Sequence, residues 1–226
     1  MKLREQAYEA FTEHLLAHRL QPGQFVTQRD LAALTGFPLG AIREMIPRLE
    51  AEGLVRAFAQ RGLQVMGIEP RLVRDAFQLR EVVETAALAA FVHSAADAEI
   101  AALRAELAAV MREAAAGPAD SALIARAQAV DWGFHDRIVE AMDNALIADL
   151  HRVNAIRIRM MMRDAVRLSP EVLPPSLGEH ARILAAVAAR DTPAALVALR
   201  AHLASARRRA LGVEVEPTQQ TGNSSS

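Results

Sequence analysis

Near Gly53 the spacing of apolar residues switches from helical to alternating, and after Ile68 the alternation does not return. Before the switch, Leu3, Ala7, Phe11, Leu15 and Leu16 recur at helical spacing, and "LQPGQ" supplies a Pro-Gly stop. "TQRDLAALTGF" then offers Thr27 as an N-cap with Asp30 three residues on, a relative of the capping box, and Gly36 as terminator. A third helix begins near Pro38 and runs through "LGAIREMIPRLEAEG", with Ile42, Ile46 and Leu49 inward. Pro47 lies inside it and is expected to bend it or to cost one hydrogen bond. After the switch, "LVRAFA", "QRG" and "LQVMGI" read as two short strands joined by a tight turn. This order of helices and hairpin within residues 1–68 is that of a winged helix-turn-helix, whose third helix enters the DNA major groove.

From Pro70 onward the apolar period stays helical. Helices are expected near 71–93, 97–115, 121–142, 145–167, 176–189 and 193–211, with breaks at "HSAAD", "AAGPAD", "MDN", "LSPEVLPP" and "ARDTP". The fold class is therefore mainly α: an N-terminal winged helix with a small β-hairpin wing, then an all-α antiparallel bundle over 71–212. Residues 213–226, ending "EPTQQTGNSSS", carry too little apolar surface to offset ordering and read as a disordered tail.

Charge does not choose a partner, because 26 basic residues nearly balance 27 acidic ones. The absence of cysteine excludes disulfides and thiolate metal sites, so any metal must use nitrogen and oxygen ligands. No run approaches the roughly 18 uncharged apolar residues of a membrane span, and the acidic residues of the N-terminus do not suit a secretory signal. A soluble cytoplasmic protein with no membrane partner is the expectation.

"DWGFHDRI" places two polar groups on the wrong side of a helix. Ile124, Asp131 and Ile138 fall on one seven-residue stripe, and Gln128, His135 and Met142 on another, so the acid and the imidazole point inward. His180 lies on a stripe with Leu177, Leu184 and Val187, and His202 on one with Ala195, Leu199 and Ala206. Each histidine alone reads as a hydrogen-bonded core residue. Asp131, His135, His180 and His202 together make an N3O set suited to Zn²⁺ first, with Ni²⁺ or Mn²⁺ also accommodated, and leave coordination positions open. His14, His18, His93 and His151 have no such partners in the pattern and read as structural.

Taken in order, "LQPGQFVTQRDLAALTGF", "IREMIPRLEAEGLV", "QRGLQV", "LREVVETAALAA", "DWGFHDRIVEAMDN" and "GEHARILAAVAARDTPAALVALRAHL" resemble the GntR family of bacterial transcription regulators, in its FadR-like branch with an FCD ligand-binding domain. The resemblance spans nearly everything before the tail. It implies DNA contacts from Arg29, Arg43, Arg61 and Gly62, with Arg48 and Arg56 as weaker candidates; guanidinium forks suit phosphates and guanine edges. It also implies that the aspartate and three histidines hold a divalent metal. One departure matters: where relatives carry an arginine at the head of the recognition helix, this chain reads Phe37-Pro38-Leu39-Gly40-Ala41. Operator sequence is therefore not carried over.

No acid/base motif such as H-E-x-x-H accompanies the candidate metal set, which favours an effector pocket over an enzyme. A small carboxylate metabolite, a sugar acid or hydroxy acid, would chelate the metal. Arg80 is the first candidate to complete its recognition, with Asn154 and Arg157 after it. The plain alternative for Arg80 is a pair with Glu84 one turn on. The expected function is a homodimeric repressor of a palindromic double-stranded DNA operator, released by such a metabolite. The competing expectations are a metal-dependent enzyme with a vestigial winged helix and a helical interaction protein that does not bind DNA.

Overall fold

The computed structural model describes residues 2–118, 120–162 and 173–212. Its N-terminal part contains α1 (Leu3–Leu16), β1 (Phe25–Val26), α2 (Gln28–Thr35), α3 (Leu39–Ala51), β2 (Val55–Phe58) and β3 (Gly62–Val65). The expected capping box closes in both directions: the Asp30 amide donates to Thr27 Oγ1 at 3.1 Å, and the Thr27 amide donates to Asp30 Oδ2 at 2.8 Å. Gly36 ends α2 in the left-handed region at φ 75°. Pro38 stands as N-cap of α3 rather than within it, and Pro47 sits on its exposed side with the helix continuing past it.

The wing is larger than a hairpin. Three antiparallel strands pair in the order β1-β3-β2, with Val26 opposite Leu63 and Val55 opposite Val65. β1 is too short to carry a period, so alternation could not reveal it. The turn between β2 and β3 has Gln60 at φ 62°, and Gly62, the first residue of β3, is at φ 86°. A Cβ on Gly62 would stand 2.6 Å from the Val26 carbonyl oxygen, so the close approach that demands glycine is to β1, inside the protein. The expectation for Gly62 rested instead on approach to the duplex.

The second part is helical: α4 (Pro70–Ser94), α5 (Asp97–Ala116), α6 (Ser121–Glu140), α7 (Ala145–Met161), α8 (Leu173–Ala188) and α9 (Thr192–Ala210). Five of the six expected spans agree with these bounds to within three residues. For α7, the expected continuation beyond 162 lies outside the described residues, as do most of the break "LSPEVLPP" and the expected tail at 213–226. Phe91, Leu88, Ile138, Ile183 and Leu199 centre its core, all at most 0 % exposed.

The winged helix is docked on α7. Ile156 and Met160 of α7 are buried in the cluster formed by Phe11, Leu31, Ile42 and Leu49, and burying each such side chain is worth roughly 1.5–3 kcal/mol. A polar knot surrounds this contact. The Tyr8 hydroxyl donates to Glu52 Oε2 at 2.6 Å, while Arg152 donates to the Tyr8 oxygen at 2.7 Å and to Glu52 Oε1 at 3.0 Å. Burial and the Glu52 hydrogen bond push the Tyr8 hydroxyl up to about 12. For Glu52, burial acts to raise the carboxyl, but hydrogen bonds from Tyr8, Arg152 and Arg48 outweigh it and hold it below its usual value.

Candidate metal centre

Three helices bring the four expected ligands to one place. Asp131 and His135 come from α6, His180 from α8 and His202 from α9; the three histidines are buried and Asp131 is half-buried. One ligand atom from each residue lies within 4.8 Å of all the others. His135 Nε2 is 3.2 Å from both His180 Nε2 and His202 Nε2, and His180 Nε2 is 3.3 Å from Asp131 Oδ1.

The outer nitrogens explain why these inner ones face each other. His135 Nδ1 lies 2.7 Å from Glu84 Oε2, His202 Nδ1 2.9 Å from Glu179 Oε2, and His180 Nδ1 3.1 Å from the Ser176 carbonyl. Carboxylates and carbonyls only accept, so the tautomer that satisfies all three contacts puts each proton on Nδ1. The Nε2 lone pairs are then left pointing at one another, with no proton to share. Two ligands each about 2.0–2.1 Å from a tetrahedral cation would stand roughly 3.3 Å apart, which matches the observed separations. The residues present therefore fit a divalent ion, and the Nδ1 partners are the orienting groups such a site uses.

Burial, aided by the charge of Arg80 and by His180, holds His135 well below its ordinary value of 6.5. Burial does the same for His202, with His180 and His135 adding to it. Both imidazoles are thereby kept neutral, the state in which a histidine can donate its lone pair to a metal. Phe134 closes one side, its ring edge-on to those of His135 and His180 at 5.2 and 5.5 Å between centroids.

Beside the cluster opens a cavity of about 460 Å³, with Asp131 and His202 in its wall. Arg80 lines it and also pairs with Glu84 at 2.7 Å. That pair is buried, at 4 % and 0 % exposure, and is not the exposed pair of small worth that sequence alone suggested as the alternative. Asn154 and Arg157 are not in the wall of this cavity. Asn154 is buried and donates to the Ala76 carbonyl at 2.9 Å, while Arg157 donates to the Glu52 carbonyl at the domain junction. The reason is helical phase: from α7, Arg157 faces the winged helix and Arg159 faces the cavity.

Sequence reasoning named Glu84 only as a partner for Arg80 and missed its contact with His135; Glu179, Trp132, Arg159 and Arg209 it missed altogether. Glu84 was legible, because it lies seven residues from both Phe77 and Phe91 on the inward stripe of α4. Arg209 stands seven residues after His202 on α9 by the same logic. His18, read as structural, also lines the cavity, together with Leu16; Leu16 ends the first helix of the winged domain and His18 lies in the turn just after it.

On the candidate DNA face, Arg29, Leu39, Arg43 and Arg61 are exposed. Arg43 Nε donates to Gln28 Oε1 at 3.1 Å, and the Arg61 guanidinium lies 4.2 Å over the Phe25 ring. Arg48 is placed differently: it donates to Glu52 Oε1 at 3.0 Å and stacks 3.8 Å over the Tyr8 ring, which ties it to the domain junction.

Comparison with known proteins agrees with this architecture. Residues 75–205 match the FCD domain, and residues 3–65 match the bacterial regulatory proteins of the gntR family. The chain is 29% identical over 206 residues to a Streptomyces ambofaciens protein described as an HTH-type transcriptional regulator in an unstable DNA locus, covering 88% of this chain and 81% of the relative. It shares its fold with E. coli McbR/YncC, at TM-score 0.73 and 17% identity over 91% of this chain and 95% of the other. The same holds for a GntR regulator from Rhodococcus sp. RHA1, at 0.72 and 21% over 93% and 99%. Among the described residues no helix is long and apolar enough to cross a membrane. A winged helix followed by a matching FCD domain over more than half the chain makes this protein a DNA-binding transcription regulator of the GntR family, FCD-containing branch.

Proposed function

We propose that the protein is a metal-dependent sensor of a small organic acid that acts as a homodimeric repressor. The observation that carries this reading is the convergence of three imidazole Nε2 atoms and Asp131 on one point, with Asp131 and His202 in the wall of a cavity that Arg80 also lines. Asp131, His135, His180 and His202 would hold the ion. An ion there supplies a Lewis-acid anchor for a carboxylate and a neighbouring hydroxyl. Arg80, held in position by Glu84, would donate to the same carboxylate.

Two features support communication with DNA. Leu16 and His18 bring the winged domain into the cavity wall, so a bound acid would touch both domains. α7 carries Arg159 on the cavity side and Arg152, Ile156 and Met160 on the winged-helix side. A ligand that favours one docking arrangement over another would thereby shift operator affinity, and only such differential binding can drive a switch. Two copies would place two recognition helices on a two-fold operator, with half-sites about 10 base pairs apart.

The test is a gel shift on the DNA upstream of its own gene, with zinc-loaded and chelator-treated protein and a panel of hydroxy and sugar acids. The expected result is a shifted band of two-copy stoichiometry that a subset of acids abolishes only when metal is present. A shift insensitive to every acid and to chelation would sink the sensor reading.

A further inference from the structure

The cavity contains more guanidinium than one carboxylate head group uses. Arg80, Arg159 and Arg209 reach it from α4, α7 and α9. Each has an acid at its back: Glu84 at 2.7 Å from Arg80 Nε, Asp136 at 3.0 Å from Arg159 Nη2, and Glu179 at 3.7 Å from Arg209 Nη2. Those three acids are not in the cavity wall, so the faces presented to a ligand are cationic.

The arginines are also incompletely satisfied. Among the described residues, Arg80 Nη2, Arg159 Nε and Arg209 Nε are buried with no acceptor, although the Arg80 side chain is only 4 % exposed. Buried donors left unpaired are costly, and three of them on guanidiniums around one cavity point to anionic oxygens as their acceptors. Trp132 lies between two of the cations, 4.9 Å from Arg159 and 5.5 Å from Arg80, and holds both with its ring. Apolar Ile124, Ala125 and Ala206 also line the wall, which suits a short carbon skeleton between polar ends, and Ser121, Gln128 and Ser176 add groups able to meet its hydroxyls.

We infer that the bound metabolite carries two anionic groups: an α-hydroxycarboxylate at the Asp131–His135–His180–His202 cluster beside Arg80, and a second carboxylate or phosphate held by Arg159 and Arg209. This rests on the metal-centred reading above and narrows its ligand class. It makes Arg159 and Arg209 the residues that set selectivity. Their forks match a carboxylate or phosphate bidentately, which a lysine would not do.

The test uses zinc-loaded full-length protein and isothermal titration with matched pairs that share a head and differ at the far end. The pairs are 2-hydroxybutyrate against malate, gluconate against glucarate, and glycerate against glycerate 3-phosphate. In at least one pair the two-anion member should bind about tenfold or more tightly, and which pair does so separates carboxylate from phosphate. In Arg159→Gln plus Arg209→Gln that ratio should fall to about one, while Arg159→Lys plus Arg209→Lys should keep part of it. Equal affinities within every pair, or a preference that survives the glutamine variant, would overturn the inference. If the two-anion preference persists in metal-free His180→Ala plus His202→Ala protein, the metal reading fails and the selectivity assignment stands. If no acid binds at all, both fail together.

Discussion

Glu84 joins the two charged systems of the helical domain: one oxygen accepts from Arg80 Nε at 2.7 Å, and the other accepts the Nδ1 proton of His135 at 2.7 Å. It is 0 % exposed, between Phe77 and Phe91 on the inward face of α4. Glu84→Gln keeps the shape and removes the charge. The expected outcome is a metal affinity lowered about 10–100-fold, since an outer partner fixes ring orientation and basicity. Stability should fall by about 3–5 kcal/mol, because Arg80 is left as a buried charge without its counter-ion. Metal titration against a competing chelator and urea unfolding read the two effects separately; an affinity within about twofold of wild type would show that Glu84 does not tune the site.

Acid should destabilise the metal-free protein in a defined window. His135 and His202 are held well below 6.5 in the fold by burial, whereas in the unfolded chain they protonate near 6.5. The unfolded state then binds more protons, so stability is flat above about pH 6.5 and falls as pH drops below it. The loss should grow steadily between pH 7 and 5.5, with both groups contributing in the same direction. Metal-loaded protein should fall more steeply, because protons displace the ion as well. A pH-independent urea midpoint across that window would contradict buried, neutral imidazoles.

Gly62 and Arg61 are neighbours with separable roles. Gly62→Ala forces a Cβ to 2.6 Å from the Val26 carbonyl at φ 86°, and should cost on the order of 1–3 kcal/mol by prising β1 from β3. Arg61→Ala should leave the melting temperature near that of wild type, weaken DNA binding evenly across sequences and reduce the salt slope by about one. Thermal melts and salt-dependent binding distinguish them; equal loss of stability in both variants would refute the division.

Arg152→Ala removes the donor shared by Tyr8 and Glu52 and should cost about 1–2 kcal/mol, the lower end being set by its partial exposure. Because α7 supplies Ile156 and Met160 to the winged-helix core, the loss should lower the winged-helix transition first. Domain-resolved hydrogen exchange checks this. Loss of protection confined to α5 and α8 would place the coupling elsewhere.

Much of the fold was readable because it repeats. Helical stripes marked the inward faces of α6, α8 and α9, and the same stripes singled out Asp131, His135, His180 and His202 as polar intruders. β1 was not readable, since a two-residue strand has no period and exists only because β3 lies alongside it. Arg157 and Arg159 are two residues apart on one helix, and nothing in their spacing tells which faces a neighbouring domain and which faces a cavity.

By itself the sequence determined the order of the helices and of the β2–β3 hairpin, the cap of α2 and the inward direction of each candidate ligand, because these depend on local backbone geometry and on which side chains avoid water. Tertiary structure decided what those residues meet. It brought Glu84 from α4 and Glu179 from α8 to the outer nitrogens of His135 and His202, tied Arg48 and Arg157 to the domain junction, and turned Arg159 and Arg209 toward one cavity. Such meetings depend on the docking of helices far apart in the chain, where packing and charge pairing, not residue spacing, select the partner.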